Sequence, residues 1–358
     1  SMGEFTVGGR NAGAWTSALS YGTAYFSAVM FIGYSGGSGW SYGLWSVLVG
    51  VGNAAFGTLL AWLVLARRTR SATRRMKIKS MPQFFDKRFV SSPMKLFATF
   101  VIFIFLLPYS ASVYKGLTSV CAVLLKVDER ICMVVIALAA MAVVVLGGYA
   151  ATLKADFVQG IIMLVGVTAL IVAVVRCETV GGLQAGLAAI SAKTGELNLG
   201  LNEHLGLWAT VLMTSFGTWG LPQMVQKFYA IRSEHAIETG TVISTLFAAI
   251  VAGGCYFLGG FGRLYGGAVD VAAEGYDAII PTMLSGLSDL LIGIVVILVL
   301  SASMSTLSSL VLTSSSTLTL DFLKDHFIKD MDEKRQIRII RGLIVVFIAI
   351  SVVLAIIQ

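Results

Sequence analysis

The chain has 358 residues, of which 57% are hydrophobic and only 13% charged, with 38 glycines and a formal net charge of +7. These values exclude an ordinary soluble domain and are typical of a polytopic helical membrane protein. Most of the excess positive charge lies in one loop, so it gives no indication of a nucleic-acid partner. The four cysteines show neither metal-ligand nor disulfide spacing, and we interpret them as free and structural.

The hydropathy pattern predicts nine membrane-spanning helices. A helix that crosses the bilayer needs about 20 predominantly apolar residues. Nine segments meet this condition, at roughly 15–35, 42–66, 95–121, 131–150, 155–176, 206–230, 240–262, 286–318 and 338–357. We therefore expect an all-α polytopic bundle in a cell membrane, of the bacterial inner-membrane type.

The distribution of charge predicts how the chain is oriented. Residues 67–79 form a dense basic segment, followed by Lys87 and Arg88. Such a segment between two spans is expected on the cytoplasmic side. Alternation from there places the N-terminus inside and the last residue outside. The acidic 263–289 connection then falls outside, and the Lys/Arg-rich 324–341 connection falls inside.

Two predicted spans carry signals of interruption. The first contains the polar, glycine-bearing run 20–27, followed by the glycine-rich run 33–39, and the sixth contains Pro222 within 215–223. Interrupted helices at corresponding positions indicate two inverted repeats with a binding site at the membrane midplane. We expect the repeats at 1–176 and 177–358. The alternative is that the interruptions are hinges or packing kinks without a ligand.

The predicted eighth span has a polar second half, at residues 301–316. Helical spacing places Ala302, Ser305 and Ser309 on one face, with Thr306 and Ser308 beside it. The hydroxyls of Ser305 and Thr306 form one layer and those of Ser308 and Ser309 a second layer about 5 Å away along the helix. Hard cations prefer such oxygen ligands. The alternative is that the small residues allow close helix packing and the hydroxyls bond back to their own carbonyls.

Two further residues stand out within apolar runs. Asp156 lies directly against the apolar run of the fifth span, and an ionisable residue there is a functional candidate by default. The alternative is an interfacial salt bridge to Lys154 or to a loop arginine. In the third span, Tyr109 follows Pro108 and could face a central cavity, although such an aromatic also serves packing.

Several motifs together resemble those of the sodium/solute symporters, closest to the sodium/proline branch. The motifs are residues 8–10 (GGR), 147–159 (GGYAATLKADFVQ), 220–228 (GLPQMVQKF) and 304–308 (MSTLS), with Asp321 beyond the last. The resemblance implies the leucine-transporter-type (LeuT-like) five-plus-five inverted-repeat fold. The nine spans then correspond to core helices one to nine, without the helix that precedes them in the family and without core helix ten.

The resemblance also implies sodium ligands. The first sodium site would use the carbonyls of Thr23, Phe26 and Ala302 and the hydroxyls of Ser305 and Thr306. Some members resemble a two-sodium arrangement, in which Asp156 would join Ser305, Ser308 and Ser309. The alternative role for Asp156 is to pass a single ion from the first site to the cytoplasm.

For the substrate the correspondence with the family is poorer. Sodium/proline symporters carry an Asp where Tyr25 stands, and a Trp and a Tyr where Thr214 and Thr218 stand. Sugar-type members carry a Gln where Met30 stands. We expect the substrate between the interrupted first and sixth helices, recognised differently from either relative. The expected contacts are Tyr25, Ser27, Met30, Tyr109, Thr218 and Trp219.

These observations predict a sodium-coupled secondary active symporter that imports a small organic solute by alternating access. Sodium and the solute are the expected ligands, and the lipid bilayer is the expected surroundings. The alternative is a membrane solute-sensing domain of a signalling protein. We do not expect an enzyme, because the sequence shows no metal-ligand cluster or nucleophile triad, and its three histidines are scattered.

Overall fold

The computed structural model describes residues 2–197, 199–328 and 331–357, and within these ranges the regular secondary structure is helical. One isolated parallel β-bridge joins Ala12 to Ile231. The α-helices are α1 (Met2–Val7), α2 (Ala14–Tyr25), α3 (Ser35–Tyr42), α4 (Val47–Gly52), α5 (Arg67–Arg75), α6 (Met81–Phe89), α7 (Ser92–Leu125), α8 (Glu129–Arg176), α9 (Leu183–Gly195), α10 (Leu201–Phe216), α11 (Pro222–Tyr229), α12 (Glu234–Gly260), α13 (Val271–Glu274), α14 (Ile279–Ser285), α15 (Asp289–Thr317), α16 (Lys324–His326) and α17 (Glu333–Ile357).

Shorter helical segments connect several of these helices. The π-helical segments are Val29–Tyr34, Asn53–Leu60, Trp62–Ala66 and Leu318–Leu323, and the 3₁₀ segments are Gly8–Arg10, Gly43–Ser46, Gly217–Gly220, Phe261–Tyr265 and Tyr276–Ala278. Each predicted span lies mainly in helical structure. Among the described residues, six helices are long and apolar enough by themselves to cross a membrane. The difference from the predicted number arises because interrupted spans consist of shorter pieces, and because two spans merge in α8.

The predicted fourth and fifth spans form one helical element, α8, rather than two helices with a gap at 150–155. The direction changes at Gly148, whose φ of 58° and ψ of −159° are not helical. A Cβ at Gly148 would lie 2.5 Å from the Phe5 ring, so glycine satisfies both the backbone conformation and the close packing there. The chain therefore turns at a single residue between the two spans.

Both predicted interruptions are present. α2 ends at Tyr25, Phe26 has extended φ and ψ of −78° and 119°, and helical structure resumes just before Val29. In the sixth span, Leu221 is extended and Pro222 begins α11 at its N-terminus, where proline loses no helical hydrogen bond. Pro108, by contrast, lies inside the uninterrupted α7.

α15 is the central helix of the bundle. It packs mainly against α8 and α7, and every residue from 301 to 317 except Met304 is buried. Elsewhere in the bundle, α3 and α12 approach closely where glycines face one another. A Cβ on Gly39 of α3 would lie 1.8 Å from the carbonyl oxygen of Gly259 on α12. Such contacts between small residues are typical of helix packing in membranes.

Candidate cation and solute sites

The interruption of the first span leaves backbone carbonyls without helical partners. Because α2 stops at Tyr25, carbonyls in its last turn have no N–H four residues further along the helix. α15 crosses at this point, and the Ser303 hydroxyl accepts a hydrogen bond from the Ala28 N–H at 3.2 Å. The end of one half-helix and the start of the next are therefore both held against α15.

The Thr306 hydroxyl lies among four carbonyl oxygens. Its Oγ1 is 3.1 Å from the oxygen of Phe26 and 3.2 Å from that of Ala302. The carbonyl oxygens of Thr23 and Ala24 are each 3.4 Å away. A hydroxyl has one proton to donate, so most of these lone pairs face one another without a hydrogen. Such a cluster of oxygens suits a hard cation. Four of the five residues predicted for the first sodium site thus meet here.

Ser305, the fifth residue predicted for the first sodium site, is adjacent to Thr306 in the sequence and contacts Asp156. Its hydroxyl donates to Asp156 Oδ1 at 2.6 Å, and the Ser20 hydroxyl donates to Oδ2. Asp156 itself is fully buried. Because Ser305 donates its proton to the carboxylate, its lone pairs remain free to act as ligands. Ser305 therefore joins the Thr306 cluster to Asp156.

Asp156 forms a buried ion pair with Lys227. Lys227 Nζ lies 3.0 Å from Asp156 Oδ2, and the two side chains are 1% and 0% exposed. The same Nζ donates to the Ser309 hydroxyl at 3.0 Å and lies 5.2 Å from the centroid of the Tyr149 ring. The partner of Asp156 is thus neither Lys154, which is exposed, nor a loop arginine. Ser308 is buried beside Ser309.

Lys227 was missed in the sequence-based prediction, although a signal for it was present. It lies in the 220–228 motif and within the predicted sixth span, so the expectation applied to Asp156 also applied to Lys227. The adjacent Gln226 is also buried. Its side chain accepts a hydrogen bond from Thr313 Oγ1 at 2.6 Å and donates to the Thr6 carbonyl at 2.8 Å. Through these two residues, α11 is bonded to α15, α8 and α1.

A cavity of about 250 Å³ lies between the two interrupted spans. Five of the six residues predicted to contact the solute line this cavity, namely Tyr25, Ser27, Met30, Tyr109 and Thr218. Trp219 is not among the lining residues. Its indole N–H donates to the Phe56 carbonyl at 2.9 Å, and its ring packs on Phe216. The structure therefore gives Trp219 a packing role.

The lining of this cavity is mainly aromatic and apolar, with a few hydroxyls. Tyr34, Tyr256 and Thr214 add to the predicted residues, and the lining includes no charged side chain. A larger cavity of about 960 Å³ lies elsewhere, against α8 near Arg176 and Leu287. That groove is bordered by exposed aliphatic residues such as Val165 and Val172. The smaller cavity has convergent polar groups and adjoins the Thr306 cluster through Tyr25 and Ser27, so it is the candidate solute site.

The solute cavity opens toward the side that carries the 263–289 connection. An adjoining cavity of about 380 Å³ shares Val29, Tyr34 and Met213 with it and extends to Tyr276 and Asp277. The two cavities form one path to that surface.

The opposite side, which carries the basic segment, is closed by backbone and arginine contacts. The Ala12 N–H donates to Ala230 O, and the Arg232 N–H donates to Ala12 O, each at 3.0 Å. The Arg10 guanidinium donates to the Ile78 carbonyl at 2.6 Å. Burial and the nearby Arg74 lower the pKa of Arg10. The described structure is thus open on one side of the bundle and closed on the other.

The fold and this arrangement define a multi-pass membrane protein of the transporter class, with six long apolar helices in the described part of the chain and an oxygen-lined site at a helix interruption. The model of the sodium:solute symporter family matches residues 5–358. The chain belongs to the sodium:solute symporter family, as the sequence motifs predicted.

Relatives and a solved structure are consistent with this assignment. The chain is 27% identical over 363 residues to the osmoregulated proline transporter OpuE of Bacillus subtilis, covering 99% of this chain and 72% of that protein. It is 26% identical over 330 residues to a sodium/proline symporter of Staphylococcus aureus, covering 90% and 63%. A Na⁺-coupled sialic acid symporter in a substrate-bound outward-open state superposes with a TM-score of 0.83 at 16% identity, covering 99% of this chain and 76% of that one. The last likeness concerns the fold alone.

Proposed function

We propose that this protein is a sodium-coupled symporter that imports a small organic solute by alternating access. The observation that carries the proposal is the cluster of carbonyl oxygens around the Thr306 hydroxyl, at the point where α2 is interrupted. The chain spans 63% to 72% of the two relatives named above. The activity of the whole protein is therefore part of the proposal.

The proposed sodium ligands are the carbonyl oxygens of Thr23, Phe26 and Ala302 and the hydroxyls of Ser305 and Thr306. They come from two helices, α2 and α15, so a bound ion would hold these helices together at the interruption. An ion that binds one conformation more tightly shifts the population toward it. Sodium would thereby favour the conformation in which the neighbouring solute cavity is formed.

The driving force follows from the charge of the ion. Moving one elementary charge across the membrane potential contributes about 2.3 kcal/mol per 100 mV, to which the sodium concentration gradient adds. One ion per cycle is sufficient for strong accumulation of a neutral or zwitterionic solute. The closing contacts of Ala12 with Ala230 and Arg232, just beyond α11, would separate during inward opening, as the two proposed repeats, 1–176 and 177–358, move relative to each other.

We propose that the solute is small and carries a carboxylate. The cavity of about 250 Å³ is below the usual range for drug-sized ligands. The described residues that line it include no cationic side chain, but the half-helix that resumes just before Val29 begins between Ser27 and Met30, and both of these residues line the cavity. Free N–H groups at a helix N-terminus favour an anionic group. The relatives are named for proline, and the aromatic lining provides an apolar surface for the remainder of such a solute.

For the orientation, we propose that the N-terminus and the basic segment 67–79 face the cytoplasm of a bacterial cell. In this orientation the cavity opens outward and the arginine contacts close the cytoplasmic side. The chain would bind its solute from outside and release it inside.

The proposal is tested by uptake into proteoliposomes. Radiolabelled amino acids and organic acids are offered to the full-length protein under an inward sodium gradient, with potassium or choline replacing sodium as controls. Sodium-dependent accumulation that collapses when the gradient is dissipated supports the symporter. A solute that binds in a sodium-dependent manner but is never accumulated would favour the solute-sensor alternative. If no solute binds and sodium gives no stabilisation over potassium, the proposal fails.

A further inference from the structure

The environment of the Lys227 ammonium is that of a bound cation. Its Nζ contacts Asp156 Oδ2 and Ser309 Oγ, each at 3.0 Å, and faces the Tyr149 ring at 5.2 Å. An ammonium group has three N–H donors, and here two are directed to oxygens while the third can meet the negative face of the ring. The ammonium is thus fully satisfied in a site from which solvent is excluded.

The residues that contact Lys227 are also those predicted to bind a second sodium ion. Asp156 and Ser309 hold the ammonium, while Ser305 donates to the other carboxylate oxygen. The Ser20 hydroxyl occupies a further position on Asp156. Three of the four residues of the predicted second site are therefore bonded to Lys227 or to one another.

The charges in this cluster also argue against a sodium ion beside Lys227. A buried carboxylate must be paired with a positive charge, and Lys227 already supplies one. A sodium ion placed against the same carboxylate would lie beside the ammonium in a medium of low dielectric constant, where like charges repel strongly. The oxygens of this cluster can therefore accept a second sodium ion only if Lys227 withdraws.

We propose that the Lys227 ammonium is a built-in cation that takes the place of a second sodium ion. Transport is then coupled to a single sodium ion at the Thr306 cluster. This inference rests on the proposed function, because it concerns the number of ions that the symporter binds.

The tethered cation differs from sodium in that it cannot leave the protein. Lys227 belongs to α11, the second half of the interrupted sixth span, whose first half ends at the solute cavity. Its contact with Asp156 continues through Ser305 to Thr306, the central residue of the proposed sodium site. The ion pair is thus a positioning element that connects the second half of the interrupted sixth span to the proposed sodium ligands.

The experiment counts sodium ions bound to the purified full-length protein by equilibrium binding of radioactive sodium. The unmodified protein is expected to bind one ion. Lys227→Met, which keeps the length of the side chain but removes the charge, is expected to bind two. Lys227→Arg retains the positive charge and is the matched control, expected to bind one. Lys227→Met combined with Asp156→Asn removes both charges and should return the number to one.

The outcomes separate this inference from the proposed function. Two ions bound to the unmodified protein, or one ion bound to a folded Lys227→Met protein, would overturn the built-in cation and leave the symporter intact. No sodium binding by the unmodified protein would instead reject the proposed function. If Lys227→Met does not fold without sodium, recovery of its fold by sodium but not by potassium would show the second ion, and no recovery by either ion would overturn the inference. A loss from two ions to one on removal of both charges would contradict the inference.

Discussion

Thr306 of α15 donates toward the carbonyl oxygen of Phe26, 3.1 Å away, at the residue where the first span leaves the helical conformation. This contact joins the central helix to the interruption, and it explains why polar groups are tolerated at that depth. Without a partner, such carbonyls would cost up to several kcal/mol in a membrane interior. In the proposed sodium site, the same oxygens would bind the ion through their lone pairs, with the Thr306 hydroxyl turning its proton away from it.

We expect Thr306→Val to weaken sodium binding by at least about tenfold, which corresponds to about 1.4 kcal/mol. Valine keeps the shape of threonine but removes the hydroxyl that lies among the four carbonyls. The measurement is the sodium-dependent rise in the unfolding temperature in detergent, with potassium as reference. Thr319→Val is the matched control, because Thr319 is buried in the helical continuation of α15 and its hydroxyl bonds back to the Ser315 carbonyl. An equal loss in both variants would mean that the Thr306 hydroxyl is not a sodium ligand.

We expect Asp156→Asn to destabilise the protein by about 3–5 kcal/mol, because it leaves the Lys227 ammonium buried without a counter-charge. The double change with Lys227→Met should recover most of this loss, since neither charge then remains. The free energies of unfolding of the two single variants and the double variant give the coupling energy directly. Removing the exposed pair Lys193–Glu196 is the control, and its expected cost is below about 1 kcal/mol. Additive effects at Asp156 and Lys227 would show that the ion pair does not exist in the membrane protein.

We expect Gly217→Leu to lower solute affinity at least about tenfold while leaving sodium stabilisation in place. Gly217 lines the solute cavity, and a Cβ added there meets open space, so the new side chain can occupy the cavity without a backbone clash. A tenfold loss is within the range expected when a ligand must compete with a side chain for a small cavity. Gly220→Leu is the matched control, because Gly220 lies in the same 3₁₀ turn and also borders open space but does not line the solute cavity. Equal solute affinity in the Gly217→Leu and unmodified proteins would place the solute elsewhere.

We expect a cysteine at Lys87 to react with a membrane-impermeant reagent from the cytoplasmic side, and a cysteine at Glu274 to react from outside. Both side chains are exposed. Lys87 follows the basic segment 67–79 between the second and third predicted spans, and Glu274 lies in the acidic 263–289 connection. The reason is the preference of Lys/Arg-rich loops for the cytoplasm. Labelling of intact cells and of inverted vesicles measures the two accessibilities, with the four native cysteines replaced. Reaction of both positions from the same side would refute the proposed orientation.

The sequence alone determined the class of protein, its family, the two helix interruptions and most of the first oxygen cluster. Apolar length, glycine and proline positions and local motifs are properties of short segments, so they can be read before the chain is folded. The prediction of a sodium:solute symporter is confirmed at the level of the family, since the family model covers residues 5–358. Thr23, Phe26, Ala302 and Thr306 meet because the interruption frees carbonyls that Thr306 of α15 contacts.

Only the tertiary structure decided which charge Asp156 faces and where Trp219 points. Asp156 and Lys227 are 71 residues apart, and their contact depends on the rotation of the short helix α11 about its own axis. That rotation depends on packing against α2 and α5 and on side-chain bonds to other helices, such as those of Gln226 with Thr313 and Thr6. For an eight-residue helix buried on most sides, hydropathy does not indicate which face turns inward. Trp219 lies in the 3₁₀ segment before the interruption, where its bond to the Phe56 carbonyl depends on the packing of the second span beside it, and it does not line the solute cavity.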